Sequence, residues 1–457
     1  MDYVYSWIIY ILKSSIVFPR MIFNGLIRLF GLVYNIVNQS INNINTNQLF
    51  LEIYNNSPDF ASIFVFLVIL CLSVFVYIKL RYPFWSLQPV FHSYDFWRYA
   101  YKSPFIIRNE PWQTKFCDFD RMKTTNYLDL LSTTKTKIVD LLRCKYIATD
   151  RLLYTITEPI LDTIMNGNSN TSYITTYTVN DRLLGFMTSR SMQLYFLENH
   201  NSNMTNQSVY YWDYICADQE HNNRDYNISR RLIQTHEYNQ RTKNPQIKVS
   251  IFKKEINLSE GIVPLIQYKT YSFILKRHRI DRLPAHTYIQ HIVKSNIHVL
   301  LDLLDGLSKN TQNAPFTFLG ISDLGVLLNL IVTNQLYCFC LKHNKDILGY
   351  YFFKNANIQY EDIAGINDCD TLHFIASFNN SPGTNIFILG YLHTIKAILK
   401  LKKTFKMLMF DEISHNVRIL PSWKMANPVL VETDCAYYLY NMCFPCGKFA
   451  PNKVLLL

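Results

Sequence analysis

A seven-residue string recurs in this chain: Asn180-Asp-Arg-Leu-Leu184-Gly185-Phe186 returns as Asn344-Lys-Asp-Ile-Leu348-Gly349-Tyr350. Each copy follows an apolar strand-like run, residues 173–179 or 336–341. Each therefore reads as a tight turn between two strands, with Asn, Asp and Lys at the bend. Tyr214-Ile215-Cys216-Ala217 is then matched by Phe374-Ile375-Ala376-Ser377 at nearly the same offset. A helical pattern closes each copy, over 228–240 and 386–402. Correspondence at two positions, in one order, predicts a duplicated α/β unit.

The 457 residues suffice for more than one such unit. With 49% hydrophobic and 15% aromatic residues the chain can bury a sizeable core. A formal charge of +11 permits nucleic acid, acidic lipid or a phosphorylated cofactor as partner. The densest basic patch, Lys276-Arg-His-Arg279, is too short for a nucleic-acid arm, so no nucleic acid is expected. Ten cysteines are scattered without a framework. Cys443-Phe-Pro-Cys446 and Cys338-Phe-Cys340 lack partner clusters, which points to buried reduced thiols rather than zinc or disulfides. The sequons at Asn203, Asn206, Asn227 and Asn257 are what so Asn-rich a chain produces by chance.

Residues 61–78 are apolar and uncharged. As a helix they would extend about 27 Å, close to a ~30 Å hydrocarbon core. Tyr77, Lys79 and Arg81 would anchor one interface, and the basic excess after the run places the remainder of the chain in the cytosol. Residues 3–38 carry Lys13, Arg20 and Arg28 with several Asn on one helical arc, the pattern of helices lying among lipid headgroups. A second span forming a hairpin is the other reading. Residues 1–81 are thus expected to form a membrane region, single-pass or hairpin, touching membrane lipid.

Tyr82-Pro-Phe84-Trp85-Ser-Leu-Gln88-Pro89-Val90, Arg108-Asn-Glu110-Pro111, Tyr437-Tyr-Leu-Tyr440-Asn441 and the closing Val454-Leu455-Leu456-Leu457 resemble segments of the glycylpeptide N-myristoyltransferases. The likeness covers 82–457, dense at both ends and in 173–217, thin between 240 and 335. It implies two tandem GNAT-like acyltransferase folds after the N-terminal membrane helices. An acyl-CoA-binding half would occupy 82–283 and a second half 284–457, with the boundary near Leu283-Pro284. It also implies an N-acyltransferase using myristoyl-CoA as acyl-donor substrate, with no resident cofactor or metal. Peptides or proteins with an N-terminal glycine would be the acceptors, and the chain is expected to be a monomer.

Amine acylation from a thioester needs phosphate binding, a proton acceptor, a stabilised oxyanion and exclusion of water. Free N–H groups where a helix starts near Ile228, with Arg224 beside them, can form an anion site. The resemblance assigns the CoA phosphates to this loop, Asn222, Asn223, Arg224, Asp225 and Tyr226. Asp225 departs from the family's basic pattern, and Arg230 and Arg231 could compensate. A plain solvated turn is the other reading. The resemblance further implies an oxyanion hole from the backbone N–H groups of Tyr214 and Ile215, and adenine and phosphate contacts from Tyr82, Phe84 and Trp85. It implies peptide contacts at Tyr146 and Tyr154, and proton acceptance by the Leu457 carboxylate. A buried carboxylate has a raised pKa and so gains basicity. The family's acidic cluster is reduced to Asp150, which weakens any preference for basic residues after the glycine. His286, His291 and His298 fall on an expected helix over 287–304, as structural histidines. The rivals are a non-catalytic acyl-CoA or lipopeptide binder of the same fold, a GNAT moving a short acyl group, and a structural membrane protein.

Overall fold

In a computed structural model the repeated strings form two hairpins. The structure describes residues 58–101, 103–147, 152–197, 204–218, 227–256, 258–276, 279–309, 314–360, 369–381, 383–445 and 448–457. It divides into two compact units, Met1–Ser86 and Leu87–Leu457. In the first, helix α1 runs Pro58–Arg81, with side chains described from Phe66 on. Among the described residues no helix is long and apolar enough to cross a membrane. This corrects the expected transmembrane span, the membrane helices ahead of the fold, and the anchored localisation built on them. Residues 3–38 lie outside the described part.

The helices of the second unit are α2 (Ser132–Leu141), α3 (Glu158–Met165), α4 (Ile228–Lys243), α5 (His298–Ser308), α6 (Leu324–Val332), α7 (Thr384–Leu401) and α8 (Asn416–Ala426). Its main strands are β1 (Met122–Asn126), β2 (Leu152–Tyr154), β3 (Tyr173–Val179), β4 (Arg182–Leu197), β5 (Met204–Ala217), β6 (Ser250–Glu255), β7 (Ile266–Ile274) and β8 (Thr287–Ile292). There follow β9 (Phe318–Ser322), β10 (Leu336–His343), β11 (Asp346–Tyr360), β12 (Cys369–Asn379), β13 (Phe405–Asp411), β14 (Val431–Tyr440) and β15 (Val454–Leu456). All join one 15-stranded sheet in the order β15-β9-β4-β5-β6-β14-β7-β13-β12-β11-β10-β8, with β3 and then β1 branching from β4 and β2 from β11. A mixed α/β architecture results.

The hairpins form as the local chemistry requires. Val179 pairs with Arg182 across Asn180 and Asp181, whose φ values are 49° and 58°. Two left-handed residues make the turn that matches strand twist. His343 pairs with Asp346, and Asn344 has φ 54°. Each hairpin carries its glycine under the following helix. A Cβ on Gly185 would meet Ile228 and Leu232 of α4; one on Gly349 would meet Phe387 of α7. The third strand of each copy is also bulged beside the repeated tetrapeptide. The β4–β5 register shifts between Met187 and Ser189, and the β11–β12 register between Phe352 and Phe353. Among the described residues the cores beside the two hairpins are built differently, the first holding no residue of α4. Phe186, Tyr214 and Cys216 pack with Tyr127 and Leu142, while Phe353, Phe374 and Phe410 pack with Tyr391 of α7 and Trp423 of α8.

The expected helix over 287–304 is half strand. Thr287–Ile292 pairs with β10, and the helix begins only at His298. Thr-Tyr-Ile-Gln-His-Ile is β-branched and aromatic, and its two ends are its buried positions. His291 stacks on Phe339 with ring centroids 4.5 Å apart, and His286 has φ 60°. The two sequence halves share strands. β2 pairs with β11, and β9 pairs with β4.

Candidate active site

Three of the segments that carry the family resemblance meet around Asn441. Tyr440 Oη donates to Gln88 Oε1 at 2.6 Å and the Asn441 N–H to the Pro89 carbonyl at 2.6 Å. The Asn441 side chain accepts from the Arg108 N–H at 2.9 Å and donates to the carbonyls of Arg108 and Lys248. Arg241 of α4 grips the Arg108 and Asn109 carbonyls at 3.0 and 2.8 Å while paired with Glu237 at 3.1 Å. Asn441 sits at φ 64°, a conformation asparagine tolerates better than most residues.

Three of the expected site tyrosines come together. The Tyr146, Tyr154 and Tyr214 rings lie 5.2, 5.4 and 6.4 Å apart, and Tyr154 Oη and Tyr214 Oη are 3.0 Å apart. Burial pushes the Tyr154 phenol up to about 12. Burial, then neighbouring Tyr154, raises Tyr146 and Tyr214 further. All three are therefore neutral hydroxyls at neutral pH. Tyr146 keeps 37% of its surface open, while Tyr154 and Tyr214 are buried in the core behind it.

Tyr214 occupies the β5 bulge, where Asp213 and Tyr214 face the single residue Thr188. Bulges re-aim backbone groups beside sites. The Tyr214 N–H donates to Thr188 Oγ1 at 3.2 Å, so this oxyanion candidate already has a partner. Ile215 stands opposite Met187.

Leu457 lies at the end of β15, half-buried. Its N–H donates to the Gly320 carbonyl at 2.8 Å, and its oxygen accepts from the Ser322 N–H at 2.8 Å and from Ser322 Oγ at 2.7 Å. Arg190 Nη1 donates to Ser322 Oγ at 2.8 Å, and its Nε donates to both oxygens of Asp213, at 2.9 and 3.2 Å. The Leu457 end and the Tyr214 bulge are thus joined through Ser322, Arg190 and Asp213. Asp213 is pushed up by burial and held down by Arg190. Sequence reasoning missed these three residues. The signal was an arginine inside the long buried run of β4, where an unpaired charge would be very costly.

The strands beyond Asp213 carry further ionisable groups toward one another. Lys253 pairs with Glu255 at 2.6 Å, His373 with Asp411 at 3.0 Å, and Lys354 senses Lys253, Asp411, Glu255 and Asp213. Desolvation lowers Lys354 and His373.

The remaining expectations fall elsewhere. Asn222, Asn223, Arg224, Asp225 and Tyr226, like Asp150, lie outside the described residues. The α4 helix starts at Ile228 after Asn227, and Arg231 is held by Asp118 at 2.8 Å, so it is not free to compensate in that loop. Tyr82, Phe84 and Trp85 belong to the first unit, on the turn leaving α1. There the Ser86 N–H donates to the Tyr82 carbonyl at 2.9 Å and the Phe84 and Trp85 rings meet edge-on at 4.9 Å.

No protein-family profile matches the chain, and no curated protein sequence matches it. Solved structures do. The Saccharomyces cerevisiae N-myristoyltransferase with bound myristoyl-CoA aligns over 79% of this chain and 93% of its own, with TM-score 0.59 and 11% identity. A structure of the yeast enzyme with myristoyl-CoA and inhibitors aligns over 81% and 92%, with TM-score 0.60 and 13% identity. The chain shares the N-myristoyltransferase fold.

Proposed function

We propose that the chain transfers a myristoyl group from myristoyl-CoA to the N-terminal glycine of peptides or proteins. The observation that carries this reading is the link between the Leu457 end and the Tyr214 bulge, beside the tyrosine cluster, in the shared fold. Residues 82–283 serve as the acyl-CoA half and 284–457 as the second half. The donor's phosphates meet the start of α4 together with residues 222–226, since the beginning of a helix favours anions.

The Leu457 carboxylate, in this reading the last group of the chain, takes a proton from the glycine ammonium. The freed amine attacks the thioester carbon, and the oxygen gains charge opposite the amides of Tyr214 and Ile215. That charge displaces the Thr188 hydroxyl from the Tyr214 N–H, because an anion is the stronger acceptor. The C–S bond then breaks, sulfur keeps its electron pair, and the surplus proton on the new amide nitrogen passes to the sulfur, so that CoA leaves as the thiol. The tyrosine trio, uncharged, lines the peptide's path.

A binder with this fold is the second reading. It is favoured by Arg231 being engaged at Asp118 and by the Tyr214 amide being occupied. The full chain should therefore be incubated with myristoyl-CoA or acetyl-CoA and a glycine-starting peptide. Thiol release and peptide mass are then followed, and the mass of the C-terminal peptide is checked. Thiol release with myristoyl-CoA alone, with the peptide acylated at its amine, is the expected result. Ligand retention without thiol release supports the binder, and turnover of acetyl-CoA supports a short-acyl transferase.

A further inference from the structure

We infer that Ser322 and Arg190 are positioning residues that aim the Leu457 carboxylate and keep it ionised. This rests on the reading of Leu457 as proton acceptor. A guanidinium has donors only, so where Arg190 Nη1 meets Ser322 Oγ at 2.8 Å the hydroxyl must accept. Its single proton is thereby turned away from Arg190 and onto the Leu457 oxygen at 2.7 Å. The Ser322 N–H reaches the same oxygen at 2.8 Å, while the Gly320 carbonyl holds the Leu457 N–H. Leu457 is gripped at both its polar ends by residues two apart on one strand.

The relay has its own foundation. Asp213 takes the Arg190 Nε on both oxygens, fixing the guanidinium plane, and Tyr211 lies under it with 5.2 Å from the guanidinium carbon to the ring centroid. Asp323, next to Ser322, accepts from the Ser169 N–H and Oγ at 2.9 Å each and from the Ser191 hydroxyl. The end of β9 is therefore tied to two other segments before it touches Leu457. Chains of hydrogen bonds polarise one another, so a cation two bonds away strengthens the last donor. Among the described residues the charged groups facing this assembly are Asp213 from β5, Asp323 beside β9 and, farther across the sheet, Lys354, which acts on Asp213, and Lys253, which acts on Tyr211.

Two readouts separate this inference from the functional reading. The first labels leucine carboxyl carbons with 13C and follows the terminal carboxylate resonance of the full chain against pH. Donors to the ionised form lower its pKa, so Ser322→Ala should raise the midpoint by about half a unit or more. Ser322→Thr, which keeps the hydroxyl, should restore it. Arg190→Gln combined with Asp213→Asn, which leaves no unpaired charge behind, should also raise it although neither residue touches Leu457. The second readout is turnover. In Ser322→Ala, kcat should fall about tenfold and the acid limb of its pH profile should move upward, with KM for myristoyl-CoA within twofold. A carboxylate midpoint unchanged in a folded Ser322→Ala protein overturns the inference, as does a Thr variant no closer to wild type than the Ala variant. An inactive wild type defeats the functional reading, and the carboxylate titration still decides the relay.

Discussion

Adding one methyl group to each of the two repeated glycines should separate the copies functionally. At Gly185 an alanine Cβ would lie 3.0 Å from Ile228 Cγ2, 3.1 Å from the Cys216 carbonyl oxygen and 3.2 Å from Leu232 Cδ1. Ordinary contacts begin a few tenths of an ångström farther out, so α4 must shift slightly at its first turns. At Gly349 the Cβ would lie 2.8 Å from two Phe387 ring atoms and 3.0 Å from the Phe378 carbonyl oxygen. Phe387 is fully buried and stacks on Tyr351 at 5.0 Å, which leaves it little room. Overpacking costs ~1–3 kcal/mol, and removing a strand glycine returns ~0.5–1 kcal/mol. Gly185→Ala should therefore be nearly neutral in stability. Gly349→Ala should lose about 2 kcal/mol, a fall of roughly 2–3 °C for a unit this large. Kinetics should show the reverse order. The α4 shift in Gly185→Ala should raise KM for myristoyl-CoA about three- to tenfold, while Gly349→Ala stays within twofold. Scanning calorimetry and initial-rate measurements on both variants test this. A KM change equal in the two, or larger for Gly349→Ala, refutes the assignment of donor binding to the start of α4.

Acidification should weaken the fold through His236, which is fully buried between Thr175 Oγ1 and Ser189 Oγ at 2.8 Å each and lowered by burial to about 3. The folded chain refuses a proton that the unfolded chain takes near pH 6.5, so stability falls as pH drops, by about 2 kcal/mol between pH 7 and 5. His415, at about 4, acts in the same direction. His236→Gln should show a smaller loss over that range in denaturation midpoints, and an identical loss refutes the assignment. Arg241→Met should cost ~3–5 kcal/mol, because it strands the buried Glu237 carboxylate and releases the Arg108 and Asn109 carbonyls. A melting temperature within a degree of wild type would contradict this. Tyr154→Phe removes the hydroxyl facing Tyr214 and should lower kcat/KM for peptide about two- to tenfold, with donor KM unchanged. A change confined to the donor would place Tyr154 on the wrong substrate.

Local chemistry made part of this molecule readable in sequence. Asn180, Asp181 and Asn344 marked the hairpin bends because few residues accept the left-handed backbone those turns require. The aromatic runs of β3 and β14 and the helical period of α4 and α7 are likewise written in adjacent residues. Thr287–Ile292 was misjudged because a short apolar string beside a true helix fits both periods, and pairing with β10 decided it. Hydropathy alone led from residues 61–78 to a membrane span, and the described helix does not sustain it. The relay was hidden for a different reason. Ser322 and Arg190 stand 132 positions apart, and no local motif announces a contact made only when β9 pairs with β4.

The exchange of strands between the halves has a consequence during synthesis. One edge of β4, a long and mostly buried strand, is covered by β9, which emerges from the ribosome about 120 residues later. At ~5–20 residues per second that edge waits about 6–25 s for its neighbour. The β9 strand then awaits residues 454–456 in turn, roughly 130 residues on. An open apolar edge on a half-made chain invites pairing with other nascent chains. Holdase assistance or slow expression should therefore improve the yield of this protein far more than any change to its finished surface.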